Sequence, residues 1–248
     1  MFKMMKKAAE MIMNAGRVTA FTGAGISVES GIPPFRGEGG LWNKYNPVLL
    51  DINHFRMNPF ESWTLIKEIF YDFFGEAAPN RAHYGLAEME KIGLLGAIIT
   101  QNIDNLHQVG GSRNIFEFHG NSRKLVCVAC GEKYSVDQVS LNELPPECLS
   151  CGGVLKPDFI FFGEQIPEPA RTNSFREADI SDLFILIGTT GEVMPACAIP
   201  YIAKENGAGI IEINTNKSSY TDSITDIFFQ GKASEMTASL LEELRKNL

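Results

Sequence analysis

No stretch of this 248-residue chain is apolar for long enough to cross a membrane as a helix. The longest apolar runs, Leu94 to Ile99 and Leu183 to Ile187, fall far short of the ~20 residues a span needs. Basic residues are also in short supply, 22 Lys and Arg against 30 Asp and Glu, for a formal net charge of -8. That balance disfavours direct nucleic-acid binding, which rests on clustered Lys and Arg that displace phosphate counterions. It keeps a protein soluble and suits basic peptide partners. Low-complexity tracts and fixed-period repeats are missing too, which excludes a disordered chain and a solenoid. Lys3, Lys6 and Lys7 ahead of apolar residues give the N-terminus the outline of a signal peptide. Glu10 and Asn14 interrupt that stretch, and no small-residue cleavage pattern follows. An amphipathic first helix in a soluble, cytoplasmic protein with no membrane partner is the expectation.

What is present is enough apolar residue, 44%, to bury a sizeable core. Arg17 to Phe21 is β-rich and enters Thr22-Gly23-Ala24-Gly25-Ile26-Ser27, which reads as strand, glycine turn, short helix. From Asp51 to Phe74 the residues Phe55, Phe60, Trp63, Ile66, Ile69, Phe70 and Phe73 recur at helical spacing, with Pro59 interrupting early, and predict a small helical module. Pro79 to Ile92 predicts a helix closed by Gly93, and Leu94 to Thr100 a strand buried on both faces. Three more apolar runs follow, Phe159 to Phe162, Leu183 to Ile187 and Gly209 to Ile213, separated by helical patterns at Glu168 to Ala178 and Ala196 to Asn206. Such alternation predicts an α/β fold, a doubly wound, Rossmann-like parallel sheet with helices on both faces.

Between Arg123 and Lys156 the style changes to short polar segments with Pro145-Pro146 and four cysteines. Cys127-Val128-Ala129-Cys130 and Cys148-Leu149-Ser150-Cys151 are separated by seventeen residues, and Gly131 and Gly152 follow the two pairs. Two tight knuckles of paired thiolates give four soft ligands, the set that suits a closed, structural zinc site. A redox dithiol or two disulfides compete with this reading. Neither explains why the pairs sit in a polar insertion too small to hold a core, which a metal would organise. Cys197 is the odd cysteine, expected as a small buried hydrophobe. The expected division is a discontinuous Rossmann-like domain of residues 1–36, 79–122 and 157–248. A small domain would comprise a helical module, 37–78, and a zinc-binding module, 123–156.

A glycine turn after a strand lets backbone N–H groups and a helix N-terminus approach phosphate. The hydride-transfer fingerprint would place a third glycine where this chain has Val28, and no acidic residue stands at the expected ribose position, so a dehydrogenase is disfavoured. The wider run is more specific: Gly23-Ala24-Gly25-Ile26-Ser27, Ser30-Gly31-Ile32-Pro33, then Phe35-Arg36-Gly37. Thr100-Gln101-Asn102-Ile103-Asp104 with Leu106-His107 follows, then Phe118-His119-Gly120 before the first cysteine pair and Phe162-Gly163-Glu164 after the second. Gly188-Thr189-Thr190, Val193, Pro195 and Ile213-Asn214 complete the order. In this order the motifs resemble the signature of the sirtuins, NAD-dependent protein-lysine deacylases, over nearly the whole chain.

The resemblance implies NAD as co-substrate, one structural zinc and an acylated-lysine protein or peptide as partner. The implied reaction cleaves the nicotinamide-ribose bond, the acyl-lysine amide oxygen captures the sugar carbon, and an O-acyl-ADP-ribose is released. By resemblance, Asp104 and the backbone of Ile103 hold the nicotinamide carboxamide, and Asn102 and Gln101 serve the ribose and its water. Asn102 and Asp104 also suit capping of the next helix. His119 is the implied general base, since imidazole accepts a proton near neutrality; a lone His between Phe118 and Gly120 is more often a hydrogen-bonded core residue, and the resemblance reverses that reading. Phe35 and Arg36 would sit on a loop closing over NAD, with Gly23, Ala24 and the Val28 backbone beneath. Gly188, Thr189, Thr190, Asn214 and Lys232 would serve the adenosine half. Ile160, Phe162 and Val193 would wall an acyl-lysine tunnel, with Gly163-Glu164 and Gly191-Glu192 offering backbone to an extended peptide.

This chain departs from the family pattern at Pro34, where many relatives have Asp, at Thr190 for the usual Ser, at Val28 for a hydroxylated residue, and at Gly191-Glu192. Relatives that remove acidic acyl groups use a Tyr and an Arg three residues apart. Trp63 to Phe74 has no such pair and only Lys67 as a base, so neutral acyl groups such as acetyl are expected. Protein ADP-ribosyl transfer, NAD hydrolysis and a catalytically idle binding module remain as alternatives.

Overall fold

The computed structural model describes residues 2–37, 39–74 and 77–247, with the backbone alone for Phe73. The expected part of Phe73 in the helical stripe therefore lies outside the described residues. The first helix, α1 (Phe2–Asn14), buries Met5, Ala8, Ala9 and Ile12, a spacing of three and four that gives one apolar face. Strand β1 (Val18–Thr22) follows, then a short 3-10 helix over Ala24–Ser30. Helices α2 (Ile52–Met57) and α3 (Pro59–Ile66) meet at Pro59, which supplies the first turn of α3. A π-helical segment, Lys67–Phe73, extends α3. Next come α4 (Arg81–Lys91), β2 (Ala97–Thr100), α5 (Leu106–Val109) and β3 (Ile115–Glu117). The cysteine region lies on β4 (Gly120–Cys127), β5 (Lys133–Ser135) and β6 (Leu155–Phe159). Helix α6 (Ala170–Ile180), β7 (Leu183–Ile187), α7 (Ala198–Glu205), β8 (Gly209–Asn214), β9 (Ile227–Gln230) and α8 (Ala233–Arg245) complete the chain.

Six strands form one parallel sheet in the order β3-β2-β1-β7-β8-β9. Side-chain alternation divides its faces. Val18, Ala20, Leu183, Ile185 and Ile187 pack with α1, α4 and α8, whereas Phe21, Phe184, Leu186 and Ile210 pack with α6 and α7. Both faces are covered, so the central strands are buried along their length and mostly apolar, as expected of a parallel sheet, with Thr19, Thr22 and Glu212 as buried polar exceptions. Arg17 and Thr19 tie α6 to the sheet: both donate to the buried Glu177 carboxylate, at 2.6 to 2.9 Å. Strand order reverses between β1 and β7, which leaves a crevice at the carboxyl ends of the strands.

A second, antiparallel sheet has the order β5-β4-β6. Its inner face and the helical segments share one core, in which Phe55, Trp63, Ile66 and Phe70 meet Leu125, Leu155, Phe159 and Phe161. Trp63 is fully buried and its Nε1 donates to the Leu155 carbonyl at 2.7 Å.

Two expectations change, and two edge strands are added to those read from the sequence. The apolar run Phe159 to Phe162 adds no strand to the parallel sheet: β6 ends at Phe159 and pairs antiparallel with β4, and Phe162 forms an isolated bridge with Asp51. A short apolar run carries no information about which core it enters. The edge strands β3 and β9 went unread because their apolar runs, Ile115-Phe116 and Ile227 to Phe229, are too short to stand out as strands. Cys197 is half-buried rather than buried, and its Sγ donates to the Met194 sulfur at 3.2 Å.

Replacing Trp63 with Ala should destabilise the fold by about 3–5 kcal/mol, since it opens a cavity and strands the Leu155 carbonyl. Denaturant unfolding checks this, and a loss below about 1 kcal/mol would contradict the shared core.

Candidate active site

The loops after β1, β2, β7 and β8 converge on a cleft of about 700 Å³ at the strand-order reversal. Its floor is a contact between two glycine turns. Gly25 N donates to the Gly188 carbonyl at 2.8 Å, and a Cβ on Gly25 would stand 2.5 Å from the Gly188 Cα. Gly188 also has a φ of 63°, in the left-handed region. The glycines are thus dictated by the mutual approach of β1 and β7, which leaves bare backbone facing the cleft.

Of the candidate residues, Gly23, Ala24 and Val28 line the cleft from the first turn, and Phe35 and Arg36 from the loop that follows. Gln101, Asn102 and Ile103 line it after β2, together with His119. Gly188, Thr189 and Thr190 contribute from the end of β7, Asn214 from the end of β8, and Lys232 from the cap of α8. Ile160, Phe162, Gly163 and Val193 line the same space. Thr189 is a hub, accepting from Gln101 Nε2 at 3.1 Å through its hydroxyl and from Asn214 Nδ2 at 2.8 Å through its carbonyl. Gly191 has its carbonyl engaged by the Ser219 hydroxyl at 2.7 Å, so that oxygen is committed within the loop.

Asp104 sits behind the cleft wall. One carboxylate oxygen accepts from the Ser27 hydroxyl at 2.6 Å, and the other from Leu106 N at the start of α5, at 3.0 Å. Burial pushes its pKa above the ordinary carboxylate value, against the hydrogen bonds from Ser27, Leu106 and Asn102. Half of the capping alternative is therefore real: Asp104 holds the helix start and the site together. The buried Asn102 amide donates to Ser27 Oγ at 3.2 Å, and its backbone N to Thr100 Oγ1 at 3.1 Å.

His119 Nδ1 lies 3.1 Å from the Gln101 carbonyl. A carbonyl only accepts, so Nδ1 carries the proton and Nε2 is left with a free lone pair. Desolvation lowers the His119 pKa, opposed by that hydrogen bond, so the ring is neutral at physiological pH. This is the protonation state a general base requires.

Three polar residues given no site role from sequence stand directly behind these groups. Ser27 links Asn102 to Asp104, His83 lies 3.5 Å from Ser27 Oγ, and His107 Nε2 lies 2.9 Å from Thr22 Oγ1. The rings of His83 and His107 are 5.0 Å apart. Burial holds His83 at about 4 and His107 at about 3, with His83 adding to the lowering at His107. An isolated His inside a helical pattern gives no hint of this. The available signals were Ser27 within the glycine-turn motif and His107 beside the Asn102–Asp104 motif, neither of which carried a role.

The four cysteines of the insertion come together with all Sγ atoms within 4.8 Å of one another. Cys127 to Cys151 and Cys130 to Cys148 measure 3.5 and 3.7 Å. Tetrahedral thiolates at a Zn–S length of ~2.3 Å would stand about 3.8 Å apart, so the cluster fits a zinc ion. Ala129 N and Cys130 N aim at Cys127 Sγ at 3.4 and 3.5 Å, as the knuckle turn requires to stabilise a thiolate.

An open parallel sheet with a glycine-floored cleft at its switch point is the arrangement of dinucleotide-binding α/β proteins. Comparison narrows the class: residues 23–195 match the model of the Sir2 family, and the chain belongs to that family. NAD-dependent protein deacylase 2 of Pyrobaculum aerophilum is 43% identical over 97% of this chain and 96% of its own. A Sir2 homologue variant solved in complex with ADP-ribose superimposes with a TM-score of 0.93 at 38% identity, over 97% of this chain and 96% of that one. A Sir2 variant solved with deacetylated p53 peptide and 3'-O-acetyl ADP-ribose gives 0.91 at 34% identity, over 96% and 98%.

Two outcomes follow from the site. Zinc analysis should return about one ion per chain, and stripping it with a chelator should lower the melting temperature and unfold the cysteine module; an unchanged melting profile would refute the structural role. His83 and His107 are buried neutral, below their unfolded value of 6.5. The unfolded chain binds protons first, so stability falls on acidification from about 6.5 to 4, by up to about 2.7 kcal/mol per pH unit for two protons. Replacing His107 with Gln should flatten that slope, which unfolding measured across the window reads directly.

Proposed function

We propose that this protein removes neutral acyl groups, acetyl foremost, from protein lysine side chains, consuming NAD and releasing nicotinamide and an O-acyl-ADP-ribose. One observation carries the reading: a neutral imidazole with a free Nε2 shares a cleft with Asn102 and the glycine floor, in a chain of the Sir2 family. The relatives named as a deacylase, or solved with ADP-ribose and its acetyl ester, support the same chemistry.

Bound NAD supplies a ribose carbon that becomes electrophilic as nicotinamide departs. Gly23, Ala24 and the Val28 backbone, with Gly188, Thr189, Thr190, Asn214 and Lys232, bind the adenosine and phosphate portion through N–H, hydroxyl and amide groups. Ile103 backbone and Asp104 hold the carboxamide, and Asn102 and Gln101 orient the ribose. Asp104 reaches that role from behind the wall, through the position Ser27 gives it. Phe35 shields the sugar from water, and Arg36, on the exposed side of the same loop, neutralises phosphate charge. His119 Nε2 takes the proton from a ribose hydroxyl, which turns that oxygen into the acceptor of the acyl group.

Acyl-lysine enters between Ile160, Phe162, Gly163 and Val193. Of the described cations lining the cleft, Arg36 and Lys232 serve NAD in this reading and Lys217 is paired with Asp222 at 2.8 Å, while Leu50, Phe70, Phe159 and Phe161 are apolar, which favours an uncharged acyl group. We read residues 1–36, 79–122 and 157–248 as the NAD-binding domain, and 37–78 and 123–156 as halves of a small domain. The core shared by the helical and cysteine segments supports that division. The reducing cytoplasm, where four thiolates stay free for zinc, is the proposed location. Among the described residues no helix is long and apolar enough to cross a membrane. The charge of -8 supports peptide over nucleic-acid partners.

Incubation with NAD and an acetyl-lysine peptide, with all products identified by mass, should yield nicotinamide, free peptide and acetyl-ADP-ribose in equal amounts. ADP-ribosylated peptide or free ADP-ribose in their place would mean a transferase or a hydrolase. His119→Ala should keep zinc and fold while turnover drops by about 10²- to 10⁴-fold; near-normal turnover would overturn the assignment.

A further inference from the structure

Lys156 is a charge placed inside the second core, with 5% of its surface exposed. An ammonium is tolerated there only when each of its three N–H groups finds an acceptor. Nζ donates to the Pro157 carbonyl at 2.8 Å and to the Phe159 carbonyl at 2.7 Å, and it lies 3.0 Å from Glu164 Oε2. The Phe161 ring stands 4.3 Å away as a cation–π partner. Desolvation lowers the Lys156 pKa while Glu164 raises it, so the charge depends on that partner. Its neighbour Lys133 is taken up by Asp158 in an exposed pair, 2.8 Å apart, which contributes little.

The partner closes a loop. Glu164 Oε2 also accepts from Phe161 N at 2.8 Å, so Lys156 and Glu164 clamp the two ends of segment 156–164 onto its own backbone. Ile160, Phe162 and Gly163, which line the cleft, lie between the clamped ends. The segment is held from outside by Ile160 N on the His119 carbonyl, at 2.8 Å, and by Phe162, whose N and carbonyl bond Leu50 and Ile52. None of the described hydrogen bonds of Lys156 or Glu164 reaches the glycine floor, Thr189, Asn214 or Lys232.

We propose that Lys156 and Glu164 are positioning residues for the acyl-lysine substrate: their internal ion pair fixes the loop that walls the substrate side of the cleft, and neither side chain bonds a residue that holds NAD. This rests on the deacylase reading. Wild-type protein that yields no deacetylated peptide with NAD would sink that reading first, before any variant is compared.

The test is steady-state kinetics of Lys156→Met, varying acetyl-lysine peptide and NAD in turn, with zinc content and melting temperature as controls. The KM for peptide should rise about tenfold while that for NAD stays within about twofold, since loss of Lys156 leaves Glu164 without its cation and frees the loop. The double variant Lys156→Met, Glu164→Gln removes the stranded charge and keeps an amide oxygen for Phe161 N, so it should recover about half of the loss on a logarithmic scale. Equal rises in both KM values, or an unchanged peptide KM, would overturn the proposal. Should Lys156→Met lose its zinc or its melting transition, Glu164→Gln alone carries the test. Its expected shift is about threefold in peptide KM only, and an equal shift for NAD would count against the clamp.

Discussion

The backbone contact between the turns after β1 and β7 is the constraint on which the rest of this structure depends. Gly25 N on the Gly188 carbonyl brings two strand ends close enough that neither turn tolerates a side chain at the contact. The helices on each face then diverge from that seam, and the crevice above it is floored by peptide groups instead of side chains. The N–H groups of Gly23, Gly25 and Gly188 are spent on holding that floor, bonded to the carbonyls of Ile187, Gly188 and Ile213. The side chains of the cleft stand around it: Asn102 and His119 on one side of the seam, Thr189 and Asn214 on the other.

The polar layer behind the cleft is held by hydrogen bonds that share few protons. Thr22 Oγ1 donates to Thr100 Oγ1, which leaves His107 Nε2 to donate to Thr22, while Thr100 Oγ1 accepts from Asn102 N. His107 Nδ1 is left without a partner, a cost accepted inside an otherwise satisfied network. Because burial keeps both imidazoles neutral, the layer brings no formal positive charge behind Asp104, whose close donors, the Ser27 hydroxyl and Leu106 N, are themselves neutral. The layer behind the cleft therefore adds no cation near Asp104, which suits a reaction in which positive charge develops on a sugar.

Much of this was legible in the sequence for identifiable reasons. Central strands such as Leu183–Ile187 are buried on both faces and so announce themselves as unbroken apolar runs, and α1 and α4 carry a helical period. The cysteine knuckles declare their ligand geometry through spacing alone. The edge strands stayed hidden because Ile115–Glu117 and Ile227–Gln230 bury only part of their length. Phe159 to Phe162 misled because apolarity reports burial and not the partner, and here the partners are Phe55 and Phe70 of the helical segments. Ser27, His83 and His107 were unreadable as a group, since 80 residues separate the ends of a network that exists only after β1, β2 and α4 are assembled.

The segment between His119 and the helical module has a further consequence. Ile160 is bonded to the backbone of His119, beside the parallel sheet, and Phe162, two residues on, is bonded to Leu50 and Ile52 of the smaller body. A single peptide span thus straddles the seam between two independently packed cores. Any slight rocking of one core against the other would register there as a change of aperture, so the gauge of the cleft beside Ile160 and Phe162 follows the angle between the bodies as much as the side chains that surround it.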